Sequence, residues 1–252
     1  STGVFKINAR INDATLNPAP FEFAQDKRTP LWTPIENIKG TLSLDQARIQ
    51  VRADSARVAG VQISGVDAVI PDYVSPRAVL DLNGTANGSL QSMLNVVNST
   101  PIAGWIDHIT EESRATGNAR VALQLQVPLT AGVQPTVQGN LRFQGNEVQL
   151  WRSLPSIQNA SGELSFSDHG FQINGVQGGF LGGNVLINGG TQKDGLVQTR
   201  LDGSVTIDGI ARGLNIPSIR RLTKKISGST RYSAQLRIKN QRPELTIDSS
   251  LV

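Results

Sequence analysis

Apolar and polar residues alternate one for one along most of the chain. Between Arg120 and Val127 the apolar set is Val121, Leu123, Leu125 and Val127, while Arg120, Gln124 and Gln126 point the other way. From Thr136 to Phe143, Val137, Leu141 and Phe143 share a face opposite Gln138, Asn140 and Arg142. Leu201/Val205/Ile207, Tyr232/Ala234/Leu236/Ile238 and Leu245/Ile247 repeat the pattern. A period of two belongs to antiparallel strands with one apolar and one solvated face. Asn83-Gly84, Gly145-Asn146, Asp168-His169-Gly170, Asn188-Gly189-Gly190 and Asp194-Gly195 supply turn chemistry between the runs. The spacing predicts roughly 16 to 20 short strands in β meanders.

Two stretches change period. Ser89 to Glu112 reads helical, with Leu90, Met93, Leu94 and Val97 at helical spacing. Thr100 can cap a second turn that begins at Pro101 and carries Ile102, Trp105, Ile106 and Ile109 as its stripe. Pro217 to Ile226 sets Ile219, Leu222 and Ile226 on one side and Arg220, Arg221, Lys224 and Lys225 on the others. Both read as short amphipathic helices docked on a sheet. For the basic one, contact with a lipid headgroup or membrane surface is the sharper alternative.

The sequence also repeats itself. Ile35-Glu-Asn-Ile-Lys-Gly-Thr-Leu-Ser-Leu44 matches Ile157-Gln-Asn-Ala-Ser-Gly-Glu-Leu-Ser-Phe166, an I-x-N-x-x-G-x-L-S-apolar pattern. Ile49-Gln-Val51 then aligns with Phe171-Gln-Ile173, and Val61-Gln-Ile-Ser-Gly65 with Val185-Leu-Ile-Asn-Gly189. Gly117 to Leu125 pairs with Gly228 to Leu236, each run following a helical interruption. Two copies of a unit of strands, helical excursion and more strands are therefore expected, over residues 1–134 and 135–252. Such repeats imply a stacked, extendable architecture more than a closed enzyme domain.

Composition narrows the chemistry. The 252 residues contain no Cys and 2 His, which excludes a disulfide scaffold, a thiolate metal site and a Cys nucleophile. With 17% charged residues, 25 Gly and 12 Pro, the profile suits a turn-rich β protein. There is no run of 18 apolar residues, so no helix is expected to span a membrane. The opening Ser1-Thr2-Gly3, without Met or signal peptide, suggests a processed product or an excised fragment. The net charge of +4 is uneven: residues 209–252 hold 9 Lys/Arg against 2 Asp/Glu. That basic end reads first as a solvated face and second as a phosphate contact. Its only aromatic is Tyr232, which alternation places among apolar partners, so nucleic-acid stacking finds no platform.

No nucleophile elbow, zincin, P-loop or dinucleotide motif occurs. Gly175 to Gly190 holds seven Gly in 16 residues, better explained by hairpins and bulges than by a phosphate cradle. His169 sits in turn chemistry; His108 and Asp107 are sequence neighbours on a helical stretch and so do not face each other. Glu111-Glu112 reads as solvated surface. Neither an enzyme, a metal site nor a cofactor is expected.

The strings Leu154-Pro-Ser-Ile-Gln-Asn-Ala-Ser-Gly-Glu-Leu-Ser-Phe-Ser-Asp-His-Gly170 and Gly178-Gly-Phe-Leu-Gly-Gly-Asn-Val185 resemble the recurring segments of AsmA-like envelope proteins. The YhdP type is the nearest and TamB more distant; Pro101-Ile-Ala-Gly-Trp105 before a helical stretch fits the YhdP type too. The resemblance implies a mainly β fold, a long twisted antiparallel sheet folded like a taco into a repeating β-groove. It also implies a periplasmic segment of an inner-membrane-anchored protein of a Gram-negative bacterium. Such a protein takes part in phospholipid transport between inner and outer membrane. The transmembrane anchor and most of the family length are not in this chain, which reads as an internal fragment. Acyl chains gain about 0.8 kcal/mol per buried CH₂, so rows of aliphatic side chains are chemistry enough. At about 4.8 Å per strand such a groove would be on the order of 80 to 95 Å long if unclosed.

Alternation then nominates the lining: Leu42, Leu44, Val121, Leu123, Leu125, Val137, Leu141, Phe143, Leu164, Phe166, Val205, Ile207, Leu236 and Ile238. Arg220, Arg221, Lys224 and Lys225 are the candidates for headgroup or membrane contact. The ligand is phospholipid and no protein partner is nominated. The alternative is a structural or adhesin-type β-solenoid, or a β-sandwich interaction module, packed shut by its own side chains and holding no lipid.

Overall fold

The period-two runs become strands, and most of these are 9 to 11 residues long. The computed structural model describes residues 5–18, 31–106, 108–130, 132–214, 227–239 and 242–249. The first half holds β1 (Lys6–Leu16), β2 (Ile35–Asp45), β3 (Arg48–Val58), β4 (Val61–Ile70) and β5 (Val79–Ser89). A helical excursion follows, α1 (Leu90–Asn98) and α2 (Ile102–Trp105), then β6 (Arg114–Ala115), β7 (Asn118–Pro128) and β8 (Thr136–Gln149). The rest comprises β9 (Ile157–Ser167), β10 (Gly170–Phe180), β11 (Gly183–Thr191), β12 (Val197–Thr206), α3 (Ile207–Gly213), β13 (Ser229–Lys239) and β14 (Arg242–Ser249). These strands form one fourteen-stranded sheet in chain order, apart from β6, which pairs with β8 off the path. It is an open antiparallel sheet. A sandwich needs a second sheet, and the described strands make only this one.

Among the described residues fourteen strands stand against the 16 to 20 expected of the chain, and several turn signals lie inside strands. Asn83-Gly84 is within β5, Gly145-Asn146 within β8 and Asn188-Gly189-Gly190 within β11. Asp168-His169 and Asp194-Gly195 are turns as expected. The physical reason is shared: a residue tolerant of positive φ serves a bulge as well as a turn. Asp13, Asn37, Gly65, Gly145, Asn159 and Gly175 all have φ between 51° and 81° inside strands. Each lies at a flip in side-chain parity. In β9 the shielded positions run from Ile157 to Ala160 across Asn159; in β8 they run from Phe143 to Asn146 across Gly145. One extra residue moves the following side chains to the other face, which restores the apolar side and bends the strand. The Asn of the repeated I-x-N pattern is this bulge residue in both copies. Its Gly is also structural: a Cβ on Gly40 would lie 2.0 Å from the Arg52 carbonyl oxygen.

Hydrogen bonds tie bulges to neighbouring strands. Asn37 Nδ2 donates to Asp13 Oδ1 at 2.9 Å between β2 and β1, and Gly175 N donates to Asn188 Oδ1 at 2.8 Å between β10 and β11. The strand starts follow the same offset as the repeated motif. β9, β10 and β11 begin 122 residues after β2, β3 and β4, and both helical excursions interrupt the sheet at the matching place.

The helical elements differ from expectation in two places. Ser89 caps α1 through its hydroxyl, and Leu90 is buried. The second turn stops at Trp105, however, and Ile106 and residues 108–112 lie in turns, with His108 at φ 58°. Ile207, expected in a strand, instead opens α3, where the Thr206 hydroxyl accepts from Gly209 N. The Pro217–Ile226 segment lies outside the described residues.

Residues 1–105 with 120–140 form one compact unit, and residues 106–119 with 141–252 another. The first has a small cluster of Ile38, Ala53 and Ala56 with Ile11, Ala14, Ile35, Ile63 and Val66 against it. The second has a larger one, Val176, Val185, Ile187, Val205, Tyr232 and Ala234.

Candidate functional site

Antiparallel register lines the apolar residues of successive strands into rows. In the first unit one row runs Ile7–Leu44–Ile49–Ile70 and the next Ala9–Leu42–Val51–Ala68–Leu82. Directly opposed apolar pairs each contribute roughly 0.2–1 kcal/mol, yet most members of these rows are only half-buried. β7 shows the state of this face most plainly. Ala119 is buried and Val121, Leu123, Leu125 and Val127 are half-buried, while Asn118, Arg120, Ala122, Gln124 and Gln126 between them are exposed. Apolar shielding thus alternates as a core face would, but stops short of core burial.

The second unit is built alike, with rows Leu164–Ile173–Gly189–Thr199–Leu236 and Val176–Ile187–Leu201–Ala234. Part of it is closed by α3, whose Ile210 packs on the cluster beside Phe180 and Leu181. A Cβ on Gly209 would lie 1.8 Å from the Leu181 carbonyl oxygen, so only glycine lets the helix backbone sit this close to the β10–β11 turn. Tyr232 lies within this cluster, 7% exposed and 6.3 Å from the Phe180 ring. Its hydroxyl has no hydrogen-bond partner. Burial, helped by the Asp202 charge, pushes the phenol up to about 12.

The opposite face carries the charge. Lys6–Asp45 at 3.0 Å, Arg52–Asp67 at 3.8 Å, Arg142–Glu163 at 4.0 Å and Arg200–Asp202 at 2.8 Å all project there. Such exposed pairs contribute little to stability; they keep this face wet. Asp202 is held below the ordinary carboxylate range by the Ser233 hydroxyl, with Arg200 adding to it against some desolvation. His169 occupies its turn, and His108 Nδ1 meets Glu111 Oε1 at 2.6 Å on an exposed turn. Among the described residues no group of three or more His, Asp or Glu is placed to hold a metal ion, and no helix is long and apolar enough to cross a membrane.

Of the proposed lining residues, Leu42, Leu44, Val121, Leu123, Leu125, Val137, Leu141, Phe143, Leu164, Phe166, Val205, Leu236 and Ile238 occupy strand positions on the apolar face. Val205 and Ile238 are buried at 7% and the others are half-buried. Ile207 is on α3. Arg220, Arg221, Lys224 and Lys225 lie outside the described residues.

Two polar residues on the apolar side carried no expectation of a role. Tyr232 is one, placed by alternation only among apolar partners. Asn146 is the other, fully buried, donating to the carbonyls of Thr116 and Asn118 at 2.9 and 3.0 Å and accepting from Gln144 N at 2.8 Å. It stitches the break between β6 and β7 to β8; a turn reading of Gly145-Asn146 hid it.

Comparison with known proteins points one way. The family model described as YhdP protein matches residues 1–252. The chain is 24% identical over 157 residues to the intermembrane phospholipid transporter YhdP of Escherichia coli (strain K12), a match covering 62% of this chain and 12% of that relative. No solved structure matches the chain significantly.

Proposed function

The chain belongs to the YhdP family, and from that premise we propose that it supplies a stretch of apolar β-surface along which phospholipid acyl chains move between two membranes. One observation carries the reading: the side chains of the apolar face alternate like a core, yet remain half-exposed along strands such as β7. A face of this kind is stable in water only if curvature or an occupant shields it. The bulges support curvature, since a bulge bends its strand. On this reading each unit forms a taco-like trough, lined in the first by Leu42, Leu44, Val121, Leu123, Leu125 and Val137. Leu141, Phe143, Leu164, Phe166, Val205, Leu236 and Ile238 line the second, with Ile207 at its helical cover. Residues 1–134 and 135–252 are the two copies of the repeat.

The work is done by solvent exclusion. Moving a lipid along the trough exchanges one aliphatic contact for the next, so no charged intermediate arises and no polar catalytic group is needed. The ion-paired outer face faces the aqueous periplasm, as part of a longer envelope protein whose other segments reach the inner and outer membranes. Arg220, Arg221, Lys224 and Lys225 remain the residues proposed for headgroup or membrane contact. Native mass spectrometry and lipid extraction of the detergent-free chain test this reading. Near-stoichiometric or higher phospholipid supports it, and a clean protein at 27.0 kDa would replace it with a self-packed structural module.

A further inference from the structure

Tyr232 is out of keeping with its surroundings. Its ring belongs to the apolar cluster of the second unit: Tyr232 pairs with Gly203 on β12, beyond which lies Val185 on β11, and the half-buried Phe180, Leu181 and Ile210 pack on the same cluster. Phenylalanine would fill the same space. The hydroxyl instead adds a buried donor with no partner, and buried polar groups in folded proteins are overwhelmingly paired. Thr199, also buried on this face, lies two residues from Leu201 on β12 and is not among the unpartnered atoms. Among the buried side-chain polar atoms of the described residues, the Tyr232 hydroxyl alone is left unmatched.

We propose that the Tyr232 hydroxyl is a ligand contact, donating a hydrogen bond to the acyl carbonyl oxygen of a bound diacyl lipid and so marking where the glycerol end of the acyl chains rests in the second unit. This rests on the lipid-trough reading and adds a polar subsite to it. The chemistry suits an acceptor that arrives attached to hydrocarbon: a carbonyl oxygen brings no charge into the apolar cluster, and a neutral phenol is a good donor to it. The phenol stays protonated throughout the physiological range, since it titrates only at about 12. A carboxylate could use the same donor, but it would carry its charge into the apolar cluster, which disfavours a free fatty acid against an ester. Phe180, Leu181 and Ile210, which pack on this cluster, are half-buried rather than locked in the core, and access to the hydroxyl is proposed to come by their displacement.

The test compares three probes on the full chain: a phosphatidylethanolamine with ester-linked chains, its ether-linked analogue, and oleate. Binding is read by native mass spectrometry. One neutral hydrogen bond corresponds to about a 3- to 10-fold preference for the ester over the ether lipid. That preference should vanish in Tyr232→Phe while total binding of the ether lipid is unchanged. An equal affinity of the wild-type chain for ester and ether lipid, or a preference that survives in Tyr232→Phe, overturns the proposal. Stronger retention of oleate than of the ester, lost in Tyr232→Phe, overturns the ester assignment in favour of a fatty-acid carboxylate. Failure of all three probes to bind removes the trough reading itself, a different outcome from binding without discrimination. The unfolding midpoint of Tyr232→Phe provides the internal control. It should equal or exceed that of the wild type, whereas a fall would reveal a partner for the hydroxyl within the protein.

Discussion

Asn146 offers the sharpest test of how the bulged sheet is held. Its side chain is completely buried and makes three hydrogen bonds, two to the carbonyls on either side of Gly117 and one from Gln144 N. Asn146→Ala removes these three bonds from the backbone groups that make them. At a net value of about 1 kcal/mol for each bond the loss is about 3 kcal/mol. For a chain of this size that corresponds to a fall of about 6 to 12 °C in melting temperature. Asn146→Asp should be at least as damaging at neutral pH, because a carboxylate cannot donate to two carbonyls and is buried against them. Burial and those carbonyls raise the folded-state pKa of the new acid above its unfolded value. Its protonated form, which can donate one bond, therefore contributes stability below the unfolded pKa that is lost as pH rises through the folded one. The deficit of Asn146→Asp should shrink between neutral and acidic pH, and that of Asn146→Ala should change less. Urea and thermal unfolding followed by circular dichroism measure both. The exposed neighbour Gln144, changed to Ala, keeps its backbone N–H and serves as the control. A cost for Asn146→Ala within about 0.5 kcal/mol of that control would refute the reasoning, since it would mean that the three bonds are replaced by water.

Other predictions are as direct. Asn159→Gly should be nearly neutral, while Asn159→Val should cost about 1–3 kcal/mol because φ of 51° strains a β-branched residue; equal melting temperatures would remove the bulge argument. Leu123→Asp should abolish lipid co-purification at modest cost to folding, with Gln124→Asp harmless to both, and wholesale unfolding of Leu123→Asp would point to a closed core. Asp202, with its lowered pKa, contributes stability present above its unfolded value that fades as pH falls through the folded one. Asp202→Asn should therefore be less stable than wild type near neutrality and equal to it at the acid end, as pH-resolved unfolding would show. Ultraviolet titration should show a late phenol transition near 12 that is absent in Tyr232→Phe. The stability tied to Tyr232 is complete below the unfolded phenol value and lost as pH rises through the folded one.

Much of this architecture is written in the period-two pattern, because a sheet with one wet face has to alternate. β7 reads correctly residue by residue. What alternation hides is the bulge. Across Asn37, Gly145 or Asn159 the parity of apolar positions flips, so the sequence reads as the end of one strand and the start of another. That is why Gly145-Asn146 passed for a turn and the strands were expected shorter and more numerous. The repeated I-x-N-x-x-G pattern held the clue, since an Asn recurring inside an apolar run suits a left-handed position. α3 was illegible for another reason. Ile207-Asp-Gly-Ile-Ala-Arg-Gly213 has two glycines, poor helix formers that are required because Gly209 packs its backbone on Leu181. Leu123 and Val205 look alike in sequence, although the structure leaves one half-exposed and buries the other. Alternation gives the face and not its depth.

The central claim, that the apolar face of the sheet carries lipid, is tested most directly by photocrosslinking along β7. A photoreactive amino acid placed in turn at Val121, Ala122, Leu123 and Gln124 samples both faces of one strand within four residues. The account predicts phospholipid adducts, identified by mass spectrometry, at positions 121 and 123 and none at 122 and 124. Adducts spread evenly over the four positions, or absent from 121 and 123, would contradict it.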